Sequence, residues 1–161
     1  MAKPIRYPSG HTKEGAAFTE LVIETFRLNG RLLASGDRLT KGVGLTSARW
    51  QVLGTLRKQP VPIPVAHIAR NMGLQRQSVQ RTVDLLAREG LVRLADNPNH
   101  RRARLVVMTP RGRAAIRKAS RLQIKWANET ASGIDSDEIH RAFLVLRRLR
   151  QRLGDRTGPW D

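Results

Sequence analysis

The 161-residue sequence predicts a mainly α-helical chain with one small β-hairpin near its middle. Two observations carry this reading. Apolar side chains recur at helical spacing in six segments separated by Gly, Pro or Asn, whereas only two short runs, 91–95 and 103–108, are dense in aliphatic residues without that period. A content of 40% hydrophobic residues is enough for a packed core and disfavours a disordered chain.

Residues 1–12 hold Pro4, Pro8 and Gly10 and read as a poorly ordered arm. From Lys13 to about Ser35, Ala17, Phe18, Leu21, Val22, Phe26, Leu32 and Leu33 form a helical stripe, which Gly36 and the Gly42/Gly44 pair are expected to end. Thr46 suits the N-cap of a second helix through Lys58, with Trp50, Leu53 and Leu56 on one line. Pro60, Pro62 and Pro64 break the chain and leave Val61 and Ile63 for at most a very short extended segment. Pro64 fits the first turn of a third helix to Met72, and Gly73 can end it in the left-handed region. A fourth helix follows at about Gln75–Glu89, its buried line being Val79, Val83 and Leu86 and its stop Gly90. The polar stretch from Asp96 to Ala103, with Asn97, Pro98 and Asn99, is the turn between the two strands. Thr109-Pro110 caps a long helix to about Thr130, and Asp135 with Glu138 makes a capping-box start for a last helix. That helix carries Ile139, Phe143, Leu146, Leu149 and Leu153. The expected order is α-α-α-α-β-β-α-α.

Charge narrows the class of partner. Thirty Lys and Arg against thirteen Asp and Glu leave a formal +17, and twenty-four of the cations are Arg, the side chain suited to bidentate phosphate and base contacts. The surplus is partitioned. Residues 1–37 carry +1, residues 129–161 carry zero, and residues 38–128 carry +16, with no acid between Asp37 and Asp84 or between Asp96 and Glu129. A polyanion is therefore the expected partner, met by the middle of the chain. With no cysteine, disulfides, thiolate chemistry and Cys-ligated zinc are excluded. The four histidines fall at no metal-ligand spacing, and no nucleophile motif, phosphate loop or paired carboxylates are seen, so the reading is of a non-enzyme without metal or cofactor. No apolar run reaches membrane-span length and Met1–Gly10 has no apolar core, which reads as cytoplasmic.

The third and fourth helices, joined through Ala69, Gly73 and Val79, have the spacing of a helix-turn-helix. The small residue lets the helices approach, Gly permits the turn, and the aliphatic side chain fills the crevice. With Val79, Val83 and Leu86 inward, Gln77 and Arg81 face outward, with Gln80 beside them and Arg76 near the N-terminal end. Gln pairs with adenine N6/N7 and Arg with guanine O6/N7, the chemistry a major-groove helix needs. The hairpin adds Arg101 and Arg102 at its tip and Arg104 one step on, placed for phosphates or the narrow minor groove. Together these elements read as a winged helix-turn-helix.

At this point residues 45–112 resemble the DNA-binding core of the MarR (multiple antibiotic resistance regulator) family. Ser78-Val79-Gln80-Arg81 opens the family motif and Leu86 through Gly90-Leu91-Val92 continues it. Arg101-Arg102 and Thr109-Pro110-Arg111-Gly112 close it, and with the flanking helices the resemblance spans about 140 residues. Two positions depart from the pattern: Ala87, where an acidic or aliphatic residue is usual, and His100, where Asp or Asn mostly precedes the paired arginines. Protonation of His100 would add positive charge at the wing.

The resemblance implies a homodimeric transcriptional regulator, more often a repressor, on a pseudo-palindromic DNA site. It divides the chain into the arm 1–12, a DNA-binding region 45–110, and a dimerisation region from 13–44 and 111–161. Arg76, Gln77, Ser78, Gln80, Arg81, Arg101, Arg102 and Arg104 are the implied DNA contacts. It also implies a small aromatic acid effector between the two regions, for which Phe26, Arg49, Trp50 and Trp126 are the candidates, although each aromatic also lies on an apolar stripe. The competing readings are a sequence-indifferent basic architectural or RNA-binding protein, and an interaction module without DNA binding. The low aromatic content, 4%, provides no visible stacking platform for the former, and an acid-free helix face argues against the latter.

Overall fold

The computed structural model describes residues 10–100 and 102–154. These fall into two units, one through Gln123 and one from Ile124. The first holds helices α1 (Lys13–Thr40), α2 (Ser47–Arg57), α3 (Val65–Met72) and α4 (Arg76–Arg88), strands β1 (Ile63–Pro64), β2 (Val92–Ala95) and β3 (Leu105–Met108), and the start of α5 (Pro110–Ala131). Helix α6 (Ser136–Gly154) belongs to the second.

Helix α1 runs five residues past its expected end. Gly36 does not stop it, because that glycine is a contact point rather than a cap: an added Cβ would sit 2.7 Å from Ser47 Oγ. Two donors fix the chain at the same crossing. The Ser47 N–H donates to Asp37 Oδ1 at 2.6 Å, and the buried Thr40 hydroxyl lies 2.8 Å from Gly36 O and 2.9 Å from Leu45 O. A single 3-10 turn (Lys41–Val43) then closes at Gly44, whose φ of 72° takes the chain into α2. Thr46 caps α2 as the sequence predicts, accepting from the Arg49 N–H at 3.3 Å.

The sheet has three strands where the sequence predicts two. Ile63 pairs with Val106 and Pro64 with Leu105, giving the antiparallel order β1-β3-β2. Pro64 lacks an N–H, yet an edge strand leaves one side free of that demand. It stands just before α3 as its N-cap, not inside the first turn. Two residues carry no readable alternation, so this pairing is invisible in sequence.

Gly73 ends α3 at φ 65°, with its own N–H on Arg70 O and the next N–H, of Leu74, on Ala69 O. Its backbone thus takes the left-handed conformation that an L side chain rarely adopts. Val79, Val83 and Leu86 of α4 are buried as expected, against Leu53, Ile68, Val92, Val106 and Ile116. Arg49 of α2 forms an ion pair with Glu89, the residue that closes α4. An acid there faces unsatisfied carbonyls and the negative end of the helix dipole, so the guanidinium offsets a local repulsion.

The hairpin is clasped at its root. The Thr109 N–H donates to Leu91 O at 3.1 Å, its hydroxyl donates to Gly90 O at 2.7 Å, and the same hydroxyl oxygen accepts from the Gly112 N–H at 3.1 Å. Gly112 is buried so tightly that an added Cβ would lie 2.0 Å from Leu91 O.

In the second unit, Asp135 opens α6 by accepting from the Asp137 N–H at 3.1 Å, after a turn at Gly133 with φ 81°. Ile139, Phe143, Leu144, Val145, Leu146 and Leu153 of α6 are all exposed, Phe143 at 52% and Leu153 at 68%.

Two consequences can be measured by urea unfolding. Gly112→Ala forces backbone atoms apart and is expected to lower stability by about 3 kcal/mol, or to prevent folding. Arg49→Ala is expected to cost about 1 kcal/mol, the pair being partly exposed. Adding Glu89→Gln should recover part of that loss, because the orphaned acid at the helix end is then gone; further destabilisation would contradict the dipole argument.

Candidate nucleic-acid interface

Helix α4 is held by one face and offers the other. Its first turn contains no acid, Gln75 precedes it without a side-chain cap, and its N-terminal N–H groups form the positive end of the dipole. Arg76, Gln77, Ser78 and Arg81 are exposed, whereas Gln80 is half-buried. Arg76, Gln77, Gln80 and Arg81 border one hollow of about 450 Å³.

Gln80 is not wholly free for a base. Its amide donates to Asp84 Oδ1 at 2.8 Å, one helical turn further along. This carboxylate restrains the amide with its oxygen directed away from the acid, ready to accept. Sequence reading had the clue in the i,i+4 spacing but stopped at the acid-free stretch ending with Arg81.

A groove of about 900 Å³ separates α3 and the start of α4 from the hairpin. Arg76 and Gln80 line it from α4, and Arg102 and Arg104 from the hairpin. His67 and Arg70 of α3 line it as well. Neither of these two was singled out in the sequence, although both sit on the polar side of the short amphipathic third helix. Among the described residues no Asp or Glu borders this groove, so its potential is positive along both walls.

The hairpin turn is built by Asn97. Its carboxamide oxygen accepts from the Asn99 N–H at 3.0 Å, and its amide donates to Ala103 O at 2.9 Å. His100, exposed, donates its N–H to Asn97 O at 3.1 Å. Arg104 reaches back across the hairpin and donates to Leu94 O at 3.0 Å, which braces the wing with one of its five N–H groups. Arg102 is exposed, and Arg101 lies outside the described residues.

The four effector candidates have different surroundings. Arg49 is engaged by Glu89 and by the Thr46 hydroxyl, so a ligand carboxylate there must displace an acid already present. Trp50 is half-buried against the core of the first unit. Phe26 is 72% exposed on α1, and Trp126 is half-buried within the unit that begins at Ile124. Among the described residues, no helix is long and apolar enough to cross a membrane.

Comparison with known proteins agrees with this geometry. A model of the MarR family matches residues 43–103, the stretch from the turn before α2 to the end of the hairpin loop. Protein Rv2011c of Mycobacterium tuberculosis is 35% identical over 129 residues, 80% of this chain and 89% of that one. Among solved structures, Sco5413, a MarR family transcriptional regulator from Streptomyces coelicolor, is 30% identical with a TM-score of 0.73, covering 88% of this chain and 98% of its own. The transcriptional regulator MOSR of M. tuberculosis, solved in complex with DNA, shares the fold at 23% identity and a TM-score of 0.70, over 82% of this chain and 96% of its own. A winged helix-turn-helix with no acid in the first turn of α4, matched in sequence and in fold, places this chain in the MarR family of DNA-binding transcription regulators.

Proposed function

We propose that this protein represses transcription as a homodimer bound to a pseudo-palindromic DNA site. The observation that carries the reading is the exposed Gln/Arg face of α4 beside an acid-free groove whose far wall is the hairpin. A duplex meets both demands at once: base edges for the helix and a phosphate backbone for the groove. In this reading Gln77, Gln80 and Arg81 contact bases, and Arg76 serves base and phosphate. Arg101 and Arg102 hold the wing on the backbone or in the minor groove, with Ser78 and Arg104 on phosphate.

Self-association is supported by α6. Its Ile139, Phe143, Leu146 and Leu153 expose more apolar surface than a lone solvent-facing helix carries, and α1 adds exposed Phe18, Phe26, Leu28, Leu32 and Leu33. The near-neutral ends of the chain, 13–44 and 129–161 among them, can meet a second copy without the repulsion that the +16 segment would impose. A two-fold dimer then presents two copies of α4 about one turn of DNA apart, and inverted half-sites follow from that symmetry.

Selection of bound duplexes from a random library tests the whole reading: an inverted repeat is expected, and unselected sequence would refute it. Arg102→Ala should weaken binding on every duplex and flatten the salt dependence by about one unit of slope. Gln77→Ala should instead lose about 1–3 kcal/mol of discrimination at one base step. Equal losses for both variants on random DNA would show that reading and anchoring residues are wrongly divided. Leu146→Glu should convert the dimer to monomer in sedimentation, with thermal stability of the first unit retained.

A further inference from the structure

Asp84 is the one acid in the thirteen residues of α4, and every other charged side chain of that helix is an arginine. On a helix offered to a polyanion a carboxylate weakens the attraction, so charge does not account for it. Helix stabilisation by a side-chain pair one turn apart is a small effect. The placement of Asp84 supplies a stronger reason. Gln80 and Asp84 are both half-buried, beside the buried line of Val79 and Val83. Gln80 borders both the groove and the smaller hollow on α4, whereas Asp84 borders neither. Asp84 therefore reaches a ligand in either space through Gln80.

The chemistry of this pair fixes the direction of the glutamine. A carboxylate has acceptors only, so the group that meets Asp84 Oδ1 at 2.8 Å is the Gln80 amide nitrogen. Turning the amide over would set Gln80 Oε1 against Asp84 Oδ1, two acceptors with no proton between them. An unrestrained glutamine has no such preference.

That direction divides the bases into two classes. On the major-groove edge adenine N6 and cytosine N4 are amines that donate, whereas guanine O6 and thymine O4 accept. A free glutamine meets either class by reversing its amide. A glutamine held by its nitrogen presents oxygen, which accepts from an amine and is left unpaired against a keto oxygen. The second N–H of the held nitrogen remains for adenine N7, as in the bidentate pairing.

We propose that Asp84 is a positioning residue that sets specificity: by holding Gln80 with its oxygen outward, it restricts the base read by Gln80 to adenine or cytosine. The inference rests on the reading of Gln80 as a base contact.

The test uses the full chain and an inverted-repeat site selected from random duplexes. The step read by Gln80 is the one at which Gln80→Ala loses discrimination, and affinity is then measured with each of the four bases at that step. The wild type is expected to prefer adenine or cytosine. In Asp84→Asn the new amide accommodates either orientation of Gln80, and the preference over guanine and thymine should fall roughly tenfold, as expected for one hydrogen bond no longer discriminating. Loss of a negative charge raises affinity for all four duplexes alike, so the ratio reports positioning where the affinity does not. Asp84→Glu keeps a carboxylate one turn from Gln80 and should keep the preference. Adding Asp84→Asn to Gln80→Ala should leave the ratios of Gln80→Ala unchanged. Should Asp84→Asn fail to fold, Asp84→Ala removes the same restraint and should show the same fall. A wild-type preference for guanine or thymine at that step, or a preference unaltered when the carboxylate is removed, would overturn this proposal alone. Selection that yields no inverted repeat, or no step that depends on Gln80, would overturn the underlying reading together with it.

Discussion

The geometry of the interface rests on the clasp that closes the root of the hairpin. Helix α4 ends at Arg88 with Glu89 as its cap, the chain turns at Gly90, β2 departs at Val92, and β3 returns at Met108 to meet the start of α5. Thr109 spans that junction with its N–H and hydroxyl on Leu91 and Gly90, and Gly112 packs α5 directly on the Leu91 carbonyl. The end of α4 and both ends of the hairpin are therefore tied at one point. The pairing of Ile63 and Pro64 with Val106 and Leu105 joins the start of α3 to the hairpin at the base of the groove.

The cationic surplus gains its meaning from that frame. A core of aliphatic residues from α2, α3, α4, the sheet and α5 takes one face of each element, and the arginines are left on the outer faces. Where two such faces converge, as α4 and the hairpin do, the result is a groove without acids. The few carboxylates inside the basic segment have local tasks. Asp84 restrains Gln80 and Glu89 pairs with Arg49. Neither is among the residues that line the groove.

Much of the fold was legible because its signals are local. Thr46, Gly73, Gly90 and Thr109-Pro110 mark helix ends by backbone chemistry that needs no distant partner, and the Val79, Val83 and Leu86 stripe names the buried side of α4 outright. The misreading of Gly36 shows the limit. A glycine late in a helical stripe signals either a stop or a close approach, and only the presence of Ser47 opposite it decides which. The pairing of β1 was missed for a related reason: the short extended segment around Ile63 was expected, but its partner strand lies over forty positions away, and no period can exist in so short a segment.

For the interface itself, residue type and spacing were sufficient to place Arg76, Gln77 and Arg81 on the exposed side of α4, since outward direction follows from the buried line. They could not show that Gln80 is shared with Asp84, that Arg104 braces its own hairpin, or that His67 and Arg70 complete the groove wall. Those facts depend on which side chains the packing of α3 and the turn at Asn97 bring within reach. What the sequence by itself determined is the inventory: six helices, a wing, a basic middle and a fourth helix whose first turn has no acids, each written in local periodicity and charge. What tertiary structure decided is the convergence of those parts, because the distance between two helix faces depends on buried contacts such as Gly112 on Leu91 and Gly36 on Ser47, and these join residues that periodicity never relates.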